Sequence, residues 1–305
     1  MEFLTLCPLC KHNGFLEFLK SQDYFLTKEE FKIVQCSKCG LKYLNPRPDE
    51  KEISFYYESP DYISHDSHPH NIHNYLYSKV RNYTRRKKLN LVEEHSKGRK
   101  ILDIGCGTGE FISYCKELGW DVTGVEPNPK PREYAIRMNH VNVLDEAGLE
   151  KIVKPSFDVI TLWHVLEHIH LLDERMLKIR QILNELGTLI IAVPNSNSWD
   201  ANYYNKFWAA YDLPRHLYHF SQNTIKQLAH NFGFEIEQIV PMKFDAFYIS
   251  LLSEKYVKGY RNYFMALLNG VRSNNFAKKS KMEYSSLIFI LKSKKPKIKP
   301  SNEFQ

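Results

Sequence analysis

The sequence predicts an α/β protein: a mostly parallel, doubly wound sheet preceded by a small cysteine-rich ribbon. Three observations predict it. A short apolar strand at residues 100–104 runs into Gly105-Cys106-Gly107-Thr108-Gly109 and then into a helical pattern. Strand-like and helix-like segments alternate from there to residue 194, the pattern of a parallel sheet covered on both faces. Two C-x-x-C pairs stand near the start of the chain.

Composition narrows the class. With 305 residues and 43% hydrophobic content, the chain has enough apolar surface to bury a core, which excludes wholesale disorder. No apolar run approaches the ~18 residues of a membrane span. The opening MEFLTLCPLC lacks the basic region that precedes a secretory apolar stretch, so a cytoplasmic protein is expected. The net charge of +7 is concentrated at residues 271–305, where nine basic residues face two acidic ones. Such a tail is read as solvated rather than as a nucleic-acid footprint.

The ribbon comes first. Cys7 and Cys10 form one pair, Cys36 and Cys39 the other, and strand-like patches at 15–19 and 31–35 lie between them. Paired C-x-x-C units in a cytosolic chain favour a tetrahedral four-thiolate Zn2+ site over disulfides. A redox dithiol is the alternative reading. With cysteine at all four positions no coordination position stays open, so the zinc is expected to be structural. Asn45-Pro46-Arg47-Pro48 ends this unit, at residues 1–48. A helical linker and cofactor-lid region follows at 49–98. It contains an aromatic stretch with Tyr62 and the histidines His65, His68, His70 and His73, read as a loop rather than a metal site.

The main domain spans 99–292. Strands are expected at 100–104, 121–126, 141–144, 157–162 and 188–194, with a helix at 171–186 closed by Gly187. Insertions are expected at 195–225 and 241–284. The first is read as an acceptor lid or as packed aromatics, the second as one helical stretch over 245–269, a core helix first, with a dimer face or a membrane-surface contact as the alternatives. A sixth strand begins near 232, the last covers 286–291, and a basic tail occupies 293–305. Asp103 lies near the end of the first strand and Glu126 at the end of the second. Glu126 stands about 20 residues beyond the loop, the spacing at which a carboxylate meets ribose hydroxyls. The loop reads G-x-G-x-G rather than the G-x-G-x-x-G of nicotinamide sites.

Four segments carry a family resemblance: Leu102-Asp103-Ile104-Gly105-Cys106-Gly107-Thr108-Gly109, Gly124-Val125-Glu126-Pro127, Trp163-His164-Val165-Leu166-Glu167-His168, and Pro214-Arg215-His216-Leu217-Tyr218-His219-Phe220-Ser221. Together they resemble class I S-adenosylmethionine-dependent methyltransferases of the methyltransferase-23 type, near the ubiquinone-biosynthesis enzymes. Members often carry an N-terminal zinc ribbon. The resemblance implies a Rossmann-like sheet with an antiparallel last strand, and S-adenosyl-L-methionine as cofactor. It implies that Asp103, Gly105, Cys106, Gly107 and Gly109 hold the methionine end, and that Glu126 and Pro127 meet the ribose. Asp145 reaches toward adenine, and Trp163 and His164 wall the site. The ribbon also resembles that of nucleotide-sugar C-methyltransferases, but this sequence ends soon after its last strand.

Methyl transfer from a sulfonium mainly requires alignment, plus a base for some acceptors. His168, His216 and His219 are the candidate bases, each with an alternative reading as a structural hydrogen-bonding group. Tyr62, Arg215 and Tyr218 are candidates for contacting the acceptor. His164 to His168 also fits the H-x-x-E-H of a zinc peptidase, but the motif directly follows a strand, which disfavours that reading. Glu167 and His168 partly match cation ligands of ubiquinone O-methyltransferase-like proteins, with His164 where an acid would help. The expected acceptor is a small molecule: a sugar, a quinone- or polyketide-like compound, or a cell-envelope precursor. The alternative is RNA or protein, docked through ribbon and lysine tail. A non-catalytic binding module is disfavoured by the intact loop and Glu126.

Overall fold

A computed structural model of the chain describes residues 1–57 and 72–293. The ribbon is built from β1 (Phe15–Gln22), β2 (Glu30–Cys36) and β3 (Lys42–Leu44), all antiparallel. Phe31 and Ile33 alternate inward along β2, as the strand period requires. The β1–β2 turn is tied by Asp23, whose carboxylate accepts from the backbone N–H groups of Phe25, Leu26 and Thr27 at 2.9–3.1 Å.

Helix α1 (Ile72–His95) seats Leu89 and Val92 against the core and delivers the chain to β4 (Lys100–Ile104). There follow α2 (Glu110–Glu117), β5 (Asp121–Val125), α3 (Pro129–Met138), β6 (Val143–Leu144) and α4 (Glu146–Glu150). Then come β7 (Phe157–Trp163), α5 (Leu172–Ile182) and β8 (Leu183–Pro194). Ile101, Leu102, Val159, Ile160, Leu189 and Ile190 are fully buried, because β4, β7 and β8 are covered on both faces.

The second half adds α6 (Trp199–Tyr204), β9 (Tyr218–His219), α7 (Gln222–Asn231) and β10 (Phe234–Pro241). It closes with α8 (Asp245–Lys258), α9 (Tyr263–Lys279) and β11 (Ser286–Ser293). The large sheet has the order β10-β11-β8-β7-β4-β5-β6. Strands β4 to β8 are parallel, and β11 is antiparallel to both its neighbours. The strand order reverses between β4 and β7, and the crevice at such a switch point is where an open α/β sheet binds ligands. No described helix is long and apolar enough to cross a membrane.

Three features differ from the sequence expectation. The helix expected over 171–186 stops at Ile182, because Leu183 already pairs with Phe157 in the sheet. Residues 184–187 bulge out before Thr188 pairs with Val159, and a side chain at Gly187 would meet Leu183 Cδ1 at 2.7 Å. The single stretch over 245–269 is two helices, broken at Gly259, whose φ of 82° ends α8. The ribbon is not a detached unit: its sheet takes a fourth strand, β9, from the insertion after β8. Within that insertion Tyr204, Trp208 and Tyr211 are packed core. Tyr62, the histidines at 65, 68 and 70 and the lysines of the tail beyond 293 lie outside the described residues.

Candidate active site

The register of the sheet assembles the first half of the site. Asp103 on β4 lies opposite Gly124 of β5 and Thr161 of β7. It is buried, and its Oδ1 accepts from the Thr161 hydroxyl at 2.6 Å. Burial raises its pKa to about 6 despite that bond and the nearby Lys88 ammonium. The loop then turns through Gly105, Gly107 and Gly109, all at positive φ between 56° and 75°. A side chain at Gly105 would strike Val165, while one at Gly107 would meet nothing within 4 Å. Gly107 is therefore required by conformation, and its outer face looks into open space. Cys106 turns back on the sheet, where only a glycine at 124 leaves it room. Burial pushes its thiol pKa well up, so it is a packing group, not a thiolate.

Glu126, at the end of β5, accepts from the backbone N–H of Gly107 and of Asn128, each at 2.9 Å. Burial raises its pKa even so. The Pro127 carbonyl accepts from Arg132 at 2.8 Å. Asp145, beyond β6, caps α4 by accepting from Gly148 N–H at 2.8 Å, and its side chain is otherwise exposed. Trp163 closes the inner wall, edge-on to Phe111 at 5.8 Å, and the Lys88 ammonium stands 4.5 Å from the Trp163 ring centroid. Burial lowers the Lys88 pKa. The single sequence from 72 to 95 marks α1 as basic but does not pick out Lys88 as the lysine turned inward.

The second half gathers around Glu167. His164 leaves β7 with φ 58°, a strained conformation for a residue with a Cβ. Its Nε2 forms an ion pair with Asp245 Oδ2 at 3.2 Å, and its Nδ1 is 3.6 Å from Glu167 Oε1. Burial opposes its charge, but the two carboxylates prevail and raise its pKa to about 10. The two carboxylates thus favour its charged form. Asp245 comes from α8, far along the chain, and no local pattern announced it.

Glu167 is 1% exposed, and both its carboxylate oxygens lack a hydrogen-bond partner among the described residues. Burial works against its charge, yet His164 and the histidines at 216 and 168 hold its pKa below the usual range. Ligand atoms of Glu167, His168 and His216 all lie within 4.8 Å of one another. His168 Nδ1 faces the Arg215 carbonyl at 3.0 Å and the Tyr57 hydroxyl at 2.8 Å. A carbonyl only accepts, so Nδ1 carries the proton and Nε2 is left with its lone pair. His216 repeats the device: Nδ1–H donates to the Ala210 carbonyl at 2.8 Å, and Nε2 lies 4.0 Å from Glu167. Burial first, then His216, lowers the His168 pKa to about 4.

The other expected residues stand apart. His219 is buried behind Tyr211 on β9, and its Nε2 has no partner among the described residues. Tyr218 accepts from Arg47 and donates to the His170 carbonyl, both at 2.9 Å. Arg215 is 1% exposed and bonds Asp23 at 3.0 Å, Asp212 at 2.7 Å and the Tyr56 carbonyl at 3.1 Å. In the ribbon, Cys7 and Cys39 sulfurs are 3.5 Å apart, as are those of Cys10 and Cys36, and all four lie within 4.8 Å.

The chain resembles known proteins in sequence and in fold. The sequence profile of the family described as a methyltransferase domain matches residues 76–239. A mitochondrial ubiquinone biosynthesis O-methyltransferase of Schizosaccharomyces pombe is 30% identical over 103 residues, 31% of this chain and 38% of that protein. A 23S rRNA (uracil(747)-C(5))-methyltransferase of Pyrococcus abyssi is 35% identical over 74 residues, 24% of this chain and 18% of that protein. The chain spans less than half the length of the curated relatives it matches. Among solved structures, a SAM-dependent methyltransferase of Thermotoga maritima, described as a possible histamine N-methyltransferase, superimposes with a TM-score of 0.50. That match is 20% identical and covers 73% of this chain and 95% of the other, a likeness of fold.

Proposed function

The chain belongs to the methyltransferase-domain family, and from that premise we propose that it transfers a methyl group from S-adenosylmethionine to a small-molecule acceptor. One observation carries this reading. The glycine loop, Asp103 and Glu126 share the carboxyl edge of the sheet with the cluster of Glu167, His168 and His216. In this reading the cofactor and acceptor sites are neighbours on that edge.

The residues fit the cofactor. Asp103 is a buried carboxylate with one hydroxyl partner, suited to an ammonium; the open face of Gly107 admits a ligand against the backbone. In this reading Asp103, Gly105, Gly107 and Gly109 hold the methionine end, with Cys106 packed beneath the loop. Lys88 faces the carboxylate of that end. Glu126 and Pro127 meet the ribose, Asp145 the adenine, and Trp163 and His164 the wall. The bound cofactor supplies an activated methyl group for in-line displacement. The chain supplies alignment, which can be worth ~7–11 kcal/mol.

The chain also supplies the proton acceptor. His216 takes the proton of the acceptor on Nε2, because Ala210 fixes its other nitrogen as a donor. Glu167 then stabilises the imidazolium across 4.0 Å. His168, kept neutral by burial and its histidine neighbour, orients the acceptor through its free Nε2. His219 and Tyr218 support β9 from behind, and Arg215 locks the segment in place.

The four ribbon sulfurs fit a zinc ion. Tetrahedral thiolates at ~2.3 Å have edges of ~3.8 Å, against 3.5 Å for the two closest pairs. Such a zinc ties the ribbon and does no chemistry. Titration calorimetry with S-adenosylmethionine tests the cofactor reading: Glu126→Ala should weaken binding by at least about tenfold, and equal affinity contradicts it.

The local similarity to an rRNA methyltransferase supports a second reading, a macromolecular acceptor. RNA binding that falls steeply with salt would favour it.

A further inference from the structure

Helices α8 and α9 form a hairpin turned inside out. The buried positions of α9 are small or polar: Ala266, Asn269, Gly270, Ser273 and Ala277. A side chain at Gly270 would meet Phe247 at 2.4 Å, so the two helices pack closely through that small face. The large apolar residues point away. Phe264 is 75% exposed, Leu267 59% and Val271 42%, at i, i+3 and i+7 of one stripe. Tyr260 and Tyr263 extend it around the tip, and Tyr248 and Val257 are exposed on α8. A stripe of this kind on a monomer's surface marks an interaction site.

Charge selects the partner. Residues 243–282 hold eight basic residues and two acidic ones. All eight bases are exposed, among them Lys255, Lys258 and Arg261 at the tip. Both acids are engaged inward: Asp245 on His164, and Glu254, 4% exposed, on Tyr204 and Asn269. A second copy on this face would set like charges against each other. Nucleic acid would suit the cations and the exposed rings of Tyr260, Tyr263 and Phe264, but the aliphatic Leu267, Val271 and Val257 on the same face add nothing to base stacking and suit an acyl layer. Aromatic and aliphatic side chains flanked by cations, with no free acid, match a lipid surface with anionic headgroups.

We propose that the α8–α9 hairpin is a membrane-surface anchor, its tip and the Phe264–Leu267–Val271 stripe seated in an anionic bilayer with Lys255, Lys258 and Arg261 at the phosphates. The hairpin grows from the rim of the active site, since Asp245 at its root bonds His164. Docking would therefore bring that rim toward the bilayer. The inference stands on exposure and charge and does not depend on which acceptor is methylated.

Vesicle flotation tests it with the full chain and no cofactor. Vesicles of phosphatidylcholine are compared with vesicles containing roughly a third phosphatidylglycerol. One variant combines Phe264→Ser with Leu267→Ser; another combines Lys258→Glu with Arg261→Glu. These positions are exposed, and a thermal melt with S-adenosylmethionine titration checks that fold and cofactor site are kept. The wild type should float with anionic vesicles, and each variant should lower partitioning by at least about tenfold. Absent flotation overturns the proposal, as does equal flotation on neutral vesicles. Binding that survives both variants overturns it too, and its loss on removing residues 294–305 would move it to the tail. A dimer dissociated by the apolar variant, or salt-sensitive RNA retention without flotation, would replace the bilayer by those partners.

Discussion

The backbone N–H of Gly107 donates to Glu126 Oε2 at 2.9 Å, joining the glycine loop to the carboxylate that ends the neighbouring strand. The loop conformation and the position of Glu126 are thus set together. Asn128 takes the other oxygen, so the carboxylate is held from both sides before any ligand arrives.

Replacing Glu126 by Gln keeps its shape and removes its charge. Charge-assisted hydrogen bonds contribute about 1.5–3 kcal/mol, so S-adenosylmethionine affinity should fall by roughly ten- to a hundredfold. Calorimetric titration measures this directly. Unchanged affinity would remove Glu126 from the cofactor site.

Asp103 carries a pH signature. Its folded pKa of about 6 lies above the ordinary 3.8, because burial disfavours the anion. The folded state then binds protons more tightly than the unfolded one. Its contribution to stability is complete below pH ~4 and lost as pH rises through ~6, a change of about 3 kcal/mol. Asp103→Asn should abolish that slope and stabilise the ligand-free protein at pH 7, while weakening cofactor binding. Denaturant midpoints from pH 4 to 7 check it; identical slopes in the two proteins would refute the assignment.

The Arg215–Asp23 pair at 3.0 Å joins the insertion after β8 to the ribbon. Asp23 is fully buried, so Arg215→Ala or Arg215→Met leaves its carboxylate inside without a cation. Each should cost about 3–5 kcal/mol of stability. Urea unfolding monitored at a ribbon and a core position gives the number, and a loss below 1 kcal/mol would show the pair to be dispensable.

Cys39→Ser should remove the stoichiometric zinc measured by metal analysis. Because β9 pairs with β3 of the ribbon, and His216 lies just before β9, ribbon loosening should reach the acceptor side of the site first. Turnover should drop while cofactor affinity is kept. A full zinc complement in the variant would exclude the four-sulfur site.

Much of the fold is legible locally. Strand β4, its glycine loop and α2 are contiguous, and the positive φ values fall on residues the sequence already marks as glycine. The cysteine pairs are equally local signals. What escaped sequence reading depends on partners distant in the chain. Asp245 meets His164 only after α8 folds back over the sheet. β9 is two residues long and is a strand only because Lys42 and Tyr43 pair with it. Helix α5 ends at Ile182 because sheet pairing with Phe157 overrides the stop expected at Gly187.

The most direct test of methyl transfer to a small molecule uses purified protein, methyl-labelled S-adenosylmethionine and size-fractionated cell extract, with the wild type beside His216→Ala. The account predicts label in the small-molecule or lipid fraction with the wild type. His216→Ala should lose at least about a hundredfold of that rate with cofactor affinity unchanged. Label in RNA or protein, or the same small-molecule labelling without His216, would contradict it.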